Sequence, residues 1–118
     1  MHGDCGLGVS DLGVGAVCNV YVRHGGVTRL VAVLSAGDLP DWRQELARNA
    51  SRVSPDGRWL AFMSDRSLTG YDNEDVTGHG RKDEEVFEYH APQNLEKESG
   101  TLTCVSCDPT GARPVEAE

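Results

Sequence analysis

Ser54-Pro55-Asp56-Gly57-Arg58-Trp59-Leu60-Ala61-Phe62-Met63-Ser64-Asp65-Arg66 is the stretch from which the fold can be read. Pro55 presets φ at the second position of a turn, and Asp56-Gly57 tolerates the left-handed geometry that closes a hairpin. Trp59 to Met63 is a continuous apolar run, which predicts a strand covered on both faces. Arg52-Val53-Ser54 reads as a short strand before the turn. Outward on the C-terminal side, Glu85-Val86-Phe87-Glu88-Tyr89 and Thr101 to Ser106 read as two more strands, giving one antiparallel sheet of four. On the N-terminal side, Asn19 to Arg23 and Thr28 to Leu34 alternate with period two around His24-Gly25-Gly26, which predicts a hairpin. Leu39 to Arg48 has the composition of a turn or two of helix, with Pro40 near its first position.

A partial repeat links the two regions. Asn19-Val20-Tyr21-Val22-Arg23-His24 parallels Glu85-Val86-Phe87-Glu88-Tyr89-His90, and Arg29-Leu30-Val31-Ala32 parallels Thr101-Leu102-Thr103-Cys104. Repeated four-stranded sheets are the signature of a β-propeller. The 54–66 stretch resembles the WD-like repeat of TolB-type propellers and of the propellers of prolyl-oligopeptidase relatives. The family pattern is a Ser-Pro-Asp-Gly turn, an apolar strand, then a serine with an arginine nearby. Where the family has an aspartate after the next strand, this chain has His90 or Ala91.

The resemblance implies an all-β fold, with one antiparallel four-stranded blade at 51–111. The outer hairpin of a preceding blade, with a connector, then occupies 19–50. A Gly-rich irregular lead-in covers 1–18, and 112–118 is a tail or the start of a further blade. It also implies structural roles for Pro55, Asp56, Gly57, Trp59, Asp65 and Arg66, with the Arg66 guanidinium donating to backbone carbonyls or to Asp65. Trp59 is expected in the core. A closed propeller needs about four blades or more, so the remaining blades of the same or another chain are expected partners.

Nineteen acids against eleven bases give a net charge of −8. That balance argues against nucleic acid, whose phosphates need a basic footprint. No run of about 18 apolar residues is present, so no membrane-spanning helix is expected, and Met1 to Ser10 lacks the pattern of a secretion signal. The resemblance implies a periplasmic, extracellular or cell-envelope setting, which suits cysteines able to form disulfides.

Four cysteines, Cys5, Cys18, Cys104 and Cys107, are compatible with disulfides or with a thiolate metal site. Zinc knuckles come as two close pairs, and only Cys104-Val105-Ser106-Cys107 has that spacing. A bridge within this pair requires a bend, because extended residues three apart are about 10 Å apart. Cys107 to Gly111 can supply one. A redox role is disfavoured, since no helix start follows the pair to lower a thiol pKa, and the leading expectation is of structural cysteines in a half-buried strand.

The long connection from Asp65 to Glu84 carries the densest chemistry. From Asp72 to Glu98 nine acids face three bases, −6 of the total −8. Asp72, Asn73 and Asp75, with Gly70 and Gly78, offer oxygens of the kind calcium takes, although apolar Val76 breaks the EF-hand spacing. A solvated acidic loop is the simpler reading, with His79 exposed among the acids. No Gly-x-Ser-x-Gly elbow occurs, and Ser54 has neither base nor oxyanion hole. The expectation is therefore a non-catalytic propeller segment without a cofactor, acting as a protein- or peptide-binding scaffold in a larger exported or cell-envelope protein. The alternative is part of the gating propeller of a prolyl-oligopeptidase-like serine peptidase. A small metal-binding module is a third.

Overall fold

A computed structural model describes residues 17–35, 37–38, 51–77 and 80–115, with backbone alone for Val17 and Cys18. The expected helical turn at 39–48, Trp42, His79 and the Gly-rich stretch before residue 17 lie outside the described residues. Six strands follow in chain order: β1 (Val17–His24), β2 (Val27–Ser35), β3 (Arg52–Val53), β4 (Trp59–Ser64), β5 (Glu85–His90) and β6 (Thr101–Cys104). They form two antiparallel sheets, one of β1-β2 and one in the order β3-β4-β5-β6. Among the described residues there is no α-helix, and no helix long and apolar enough to cross a membrane.

The β1-β2 hairpin is set by its turn. His24 pairs with Val27, and Gly25 and Gly26 adopt φ of 58° and 79°. Both central residues therefore sit in the left-handed region, as a two-residue turn between right-twisted strands requires. Val20 pairs with Ala32 but Tyr21 pairs with Leu30, so Val31 is the extra residue of a bulge.

The second sheet is a meander. Phe62 of β4 pairs with Phe87 of β5, which pairs in turn with Cys104 of β6. The Phe62 and Phe87 ring centroids lie 5.9 Å apart. With Val20, Ala32 and Leu34 from the hairpin they form one buried cluster, so the two sheets share a core. Apolar burial of this kind, at about 25 cal/mol per Å2, is the main force holding the sheets together. Arg29 adds a polar tie, donating from Nε to Leu95 O at 2.7 Å and from Nη2 to Glu96 O at 2.9 Å.

Along β5 burial alternates, with Glu85, Phe87 and Tyr89 inward. The Tyr89 hydroxyl donates to Ser99 O at 2.6 Å, and burial pushes its phenol up. Gly100 is packed against this pair. Its φ is 90°, and a Cβ there would collide with His90 O and with the Tyr89 ring and hydroxyl.

Three expectations need correction. Trp59 is 41% exposed rather than in the core, because β4 enters the shared core only further along, at Phe62 and Ser64. For the same reason β4 is not covered evenly on both faces. β6 stops at Cys104 instead of running to Ser106, since the chain bends there.

Candidate functional site

The Ser54–Gly57 turn is closed by its own atoms. Gly57 N donates to Ser54 O at 2.9 Å, Ser54 N to Trp59 O at 2.9 Å, and Trp59 N to Ser54 Oγ at 3.0 Å. Asp56 Oδ1 accepts from Ser54 Oγ and from Arg58 N at 3.0 Å. Pro55 and Gly57 complete a turn that presents Arg58 and Trp59 beside it. Asp108-Pro109-Thr110-Gly111 repeats this arrangement, with Gly111 N to Asp108 O at 2.9 Å and Thr110 N to Asp108 Oδ1 at 2.8 Å. The shared x-Pro-x-Gly pattern was the signal for it in the sequence.

These bonds set carboxylate titration. The Ser54 hydroxyl first, then the Arg58 amide, hold Asp56 below the usual carboxylate value, and the Thr110 hydroxyl and amide do the same for Asp108. A depressed folded-state pKa stabilises the turn above the unfolded value of about 4, and that contribution is lost as pH falls through the lower folded value. Both carboxyls are expected to titrate below pH of about 4, with the Arg58 and Thr110 amide shifts moving in step. NMR titration checks this, and midpoints above the ordinary value would refute it.

Beside the first turn the surface is cationic and aromatic. Trp59 stacks on His90, with centroids 3.8 Å apart and planes 14° from parallel. A cleft of about 590 Å3 runs between Arg23 and His24 of β1, Arg58, and the Pro92–Leu95 segment. A second, of about 200 Å3, lies between Tyr21, Arg23, Val53 and Trp59. A third, of about 680 Å3, joins Arg58 and His90 to Lys97 and Thr101. Arg58 lines all three. Among the described residues, neither the Arg23 nor the Arg58 guanidinium forms a hydrogen bond or salt bridge. A chain of net charge −8 thus places two cations where its clefts converge, with Asp56 and Glu98 sharing the linings and the Arg58 charge acting on Asp56.

At the opposite end of the core the polar groups are satisfied internally. Asp38, 1% exposed, accepts from Ser35 N (3.0 Å), Ser64 Oγ (2.6 Å) and Asp65 N (2.8 Å). Ser35 Oγ reaches Asp65 Oδ1 at 2.5 Å, so Asp65 also joins the two sheets. The Arg66 side chain is exposed, and only its backbone N enters this network, donating to Ser64 Oγ at 3.0 Å. The role expected of the Arg66 guanidinium is filled by Asp38, which no local motif singled out.

The three residues suggested for calcium are spread through the loop. Asp72 is exposed, accepting from Glu74 N and lying 3.9 Å from Lys82 Nζ. Asn73 is buried and donates from Nδ2 to Asp65 O and Asp83 O at 2.6 and 2.7 Å. Its Oδ1 is buried without a hydrogen-bond partner among the described residues. Asp75 is buried, with Oδ1 accepting from the Thr77 amide and hydroxyl. These bonds fold the loop around a bridge between Glu74 and Lys82.

Cys104 and Cys107 form a disulfide, with Cα atoms 5.6 Å apart. The expectation of two cysteines along a strand is corrected: the chain bends after Cys104, and Cys107 returns to it. Glu85, 6% exposed, places a carboxylate oxygen within 4.8 Å of both sulfurs. This is the one grouping of three potential metal ligands among the described residues, and a disulfide supplies it with no thiolate.

No protein-family model, no curated protein and no solved structure matches the chain. The described residues define the class: an all-β fold of two antiparallel sheets.

Proposed function

We propose that the chain is a segment of a TolB-like β-propeller that serves as a binding scaffold in an exported or cell-envelope protein and binds an acidic peptide segment. The observation that carries the binding role is the convergence of three clefts on Arg58, which makes no hydrogen bond or salt bridge among the described residues, beside Arg23 and the Trp59–His90 stack. Guanidinium groups form strong, often bidentate bonds to carboxylates, and an exposed aromatic face adds apolar contact. The four-stranded meander packed on a preceding hairpin supports the blade reading. The Cys104–Cys107 bridge supports an oxidising compartment.

Fluorescence anisotropy with a labelled glutamate-rich peptide containing one tyrosine tests the binding role. Saturable binding, weakened by salt, is expected. Arg58→Glu is expected to weaken it by about tenfold or more, the equivalent of losing one charge-assisted hydrogen bond. Equal binding of a lysine-rich peptide, or no effect of Arg58→Glu, would refute this role.

A further inference from the structure

The Cys104–Cys107 loop is held in shape by hydrogen bonds as well as by its bridge. Val105 N donates to Val86 O at 2.9 Å, and Val86 N donates to Ser106 Oγ at 2.7 Å. A short loop removes less chain entropy when cross-linked than a long one, although the dependence on length is only logarithmic. The bend therefore does not depend on the bridge alone.

Glu85 is the second observation. Burying a carboxylate is costly unless it is paired with a cation or well hydrogen-bonded. Among the described residues no cation meets Glu85. Its carboxylate accepts from Ser106 Oγ, a residue inside the disulfide loop, and it lies within 4.8 Å of both sulfurs. The cysteines are half-buried, and Val105 and Ser106 between them are exposed, so a thiol from solvent has access. The geometry places a carboxylate oxygen beside an accessible Cys-x-x-Cys bridge, within reach of a proton that arrives with an attacking thiol.

We propose that Cys104, Cys107 and Glu85 form a thiol–disulfide exchange centre that oxidises external dithiols. This activity goes beyond peptide binding and does not depend on it. The first thiol of the dithiol gives its proton to the Glu85 carboxylate and attacks one of the two sulfurs. The Cys104–Cys107 bond breaks as a mixed disulfide forms, and the displaced cysteine thiolate takes the proton from Glu85. The second thiol then loses its proton, attacks the mixed disulfide and leaves as the substrate disulfide. The remaining cysteine thiolate takes up that proton. Two electrons and two protons pass from the dithiol to the chain, which ends with two thiols.

The test uses the oxidised full chain under native conditions, with dithiothreitol as the dithiol. Alkylation and peptide mapping follow reduction at Cys104 and Cys107, and far-UV circular dichroism follows the fold. Glu85→Gln keeps an acceptor for the Ser106 hydroxyl but cannot take a proton. The expected result is reduction of the wild-type bridge without unfolding, and a rate about tenfold or more lower in Glu85→Gln at unchanged dichroism. A Glu85→Gln rate within about twofold of wild type would leave Glu85 a purely structural clasp and overturn the proposal. So would a wild-type bridge that resists dithiothreitol until the protein melts. If Glu85→Gln does not fold, disulfide transfer from the wild-type chain to a reduced two-cysteine peptide decides: transfer supports the centre, and its absence overturns it.

Discussion

Replacing Phe62 with alanine is expected to lower the free energy of unfolding by about 3–5 kcal/mol, the range for truncating a buried aromatic. Phe62 is 1% exposed and sits at the junction of the two sheets, against Phe87 in its own sheet and among Val20, Ala32 and Leu34 of the hairpin. The size of the loss depends on whether the cavity can collapse. Here it is resisted from both sides, because Arg29 ties β2 to the 95–96 backbone and Asp38 ties the hairpin to β4. Phe62→Leu keeps most of the volume and is expected to cost less, about 1–1.5 kcal/mol. Urea unfolding of both variants by circular dichroism checks the ordering. A loss below about 1 kcal/mol for the alanine variant would show that the sheets do not share this core.

Asp38→Ala is expected to be nearly as damaging, at about 3–5 kcal/mol. The carboxylate accepts from two backbone amides and from the Ser64 hydroxyl, whose side chain is fully buried. Removing it strands those donors away from water, at about 1–3 kcal/mol for each one left unsatisfied, with some relief as the site relaxes. Asp38→Asn keeps the shape but turns an NH2 toward at least one donor, so an intermediate loss is expected. For a domain of this size the alanine variant corresponds to a fall in Tm of roughly 10–20 °C. Calorimetry reads it, and a shift of only about 2 °C would mean that water reaches these donors.

The strands of the four-stranded sheet were legible because each is specified by neighbouring residues. The Ser54–Gly57 turn fixes its own hydrogen bonds within five positions, and alternation around Gly25-Gly26 allows only a hairpin. The Cys104–Cys107 bridge was half legible. The spacing suited it, but the strand expectation carried the chain too far, and only the bend after Cys104 brings the cysteines together. Trp59 was misread because an apolar run does not reveal where the covering sheet ends. Glu85 was placed at the start of a strand and counted among the nine acids of 72–98, and its burial in the inward column of β5 with Phe87 and Tyr89 was not foreseen. The period of two sets it apart from Glu84 and puts it on the face of Phe87 and Tyr89, but nothing local names its Ser106 partner.

The sequence by itself determined an all-β chain, its hairpins and the order of strands in the larger sheet. These follow from φ preferences, side-chain period and turn chemistry, all of which act over a few residues. Only the tertiary structure decided which polar groups meet. Asp38 finds Ser64 across 26 positions, and Glu85 finds Ser106 across 21. The physical reason is that burying a charge is favourable only once its distant donors are in place, and packing one sheet on another and folding β6 back beside β5 is what puts them there.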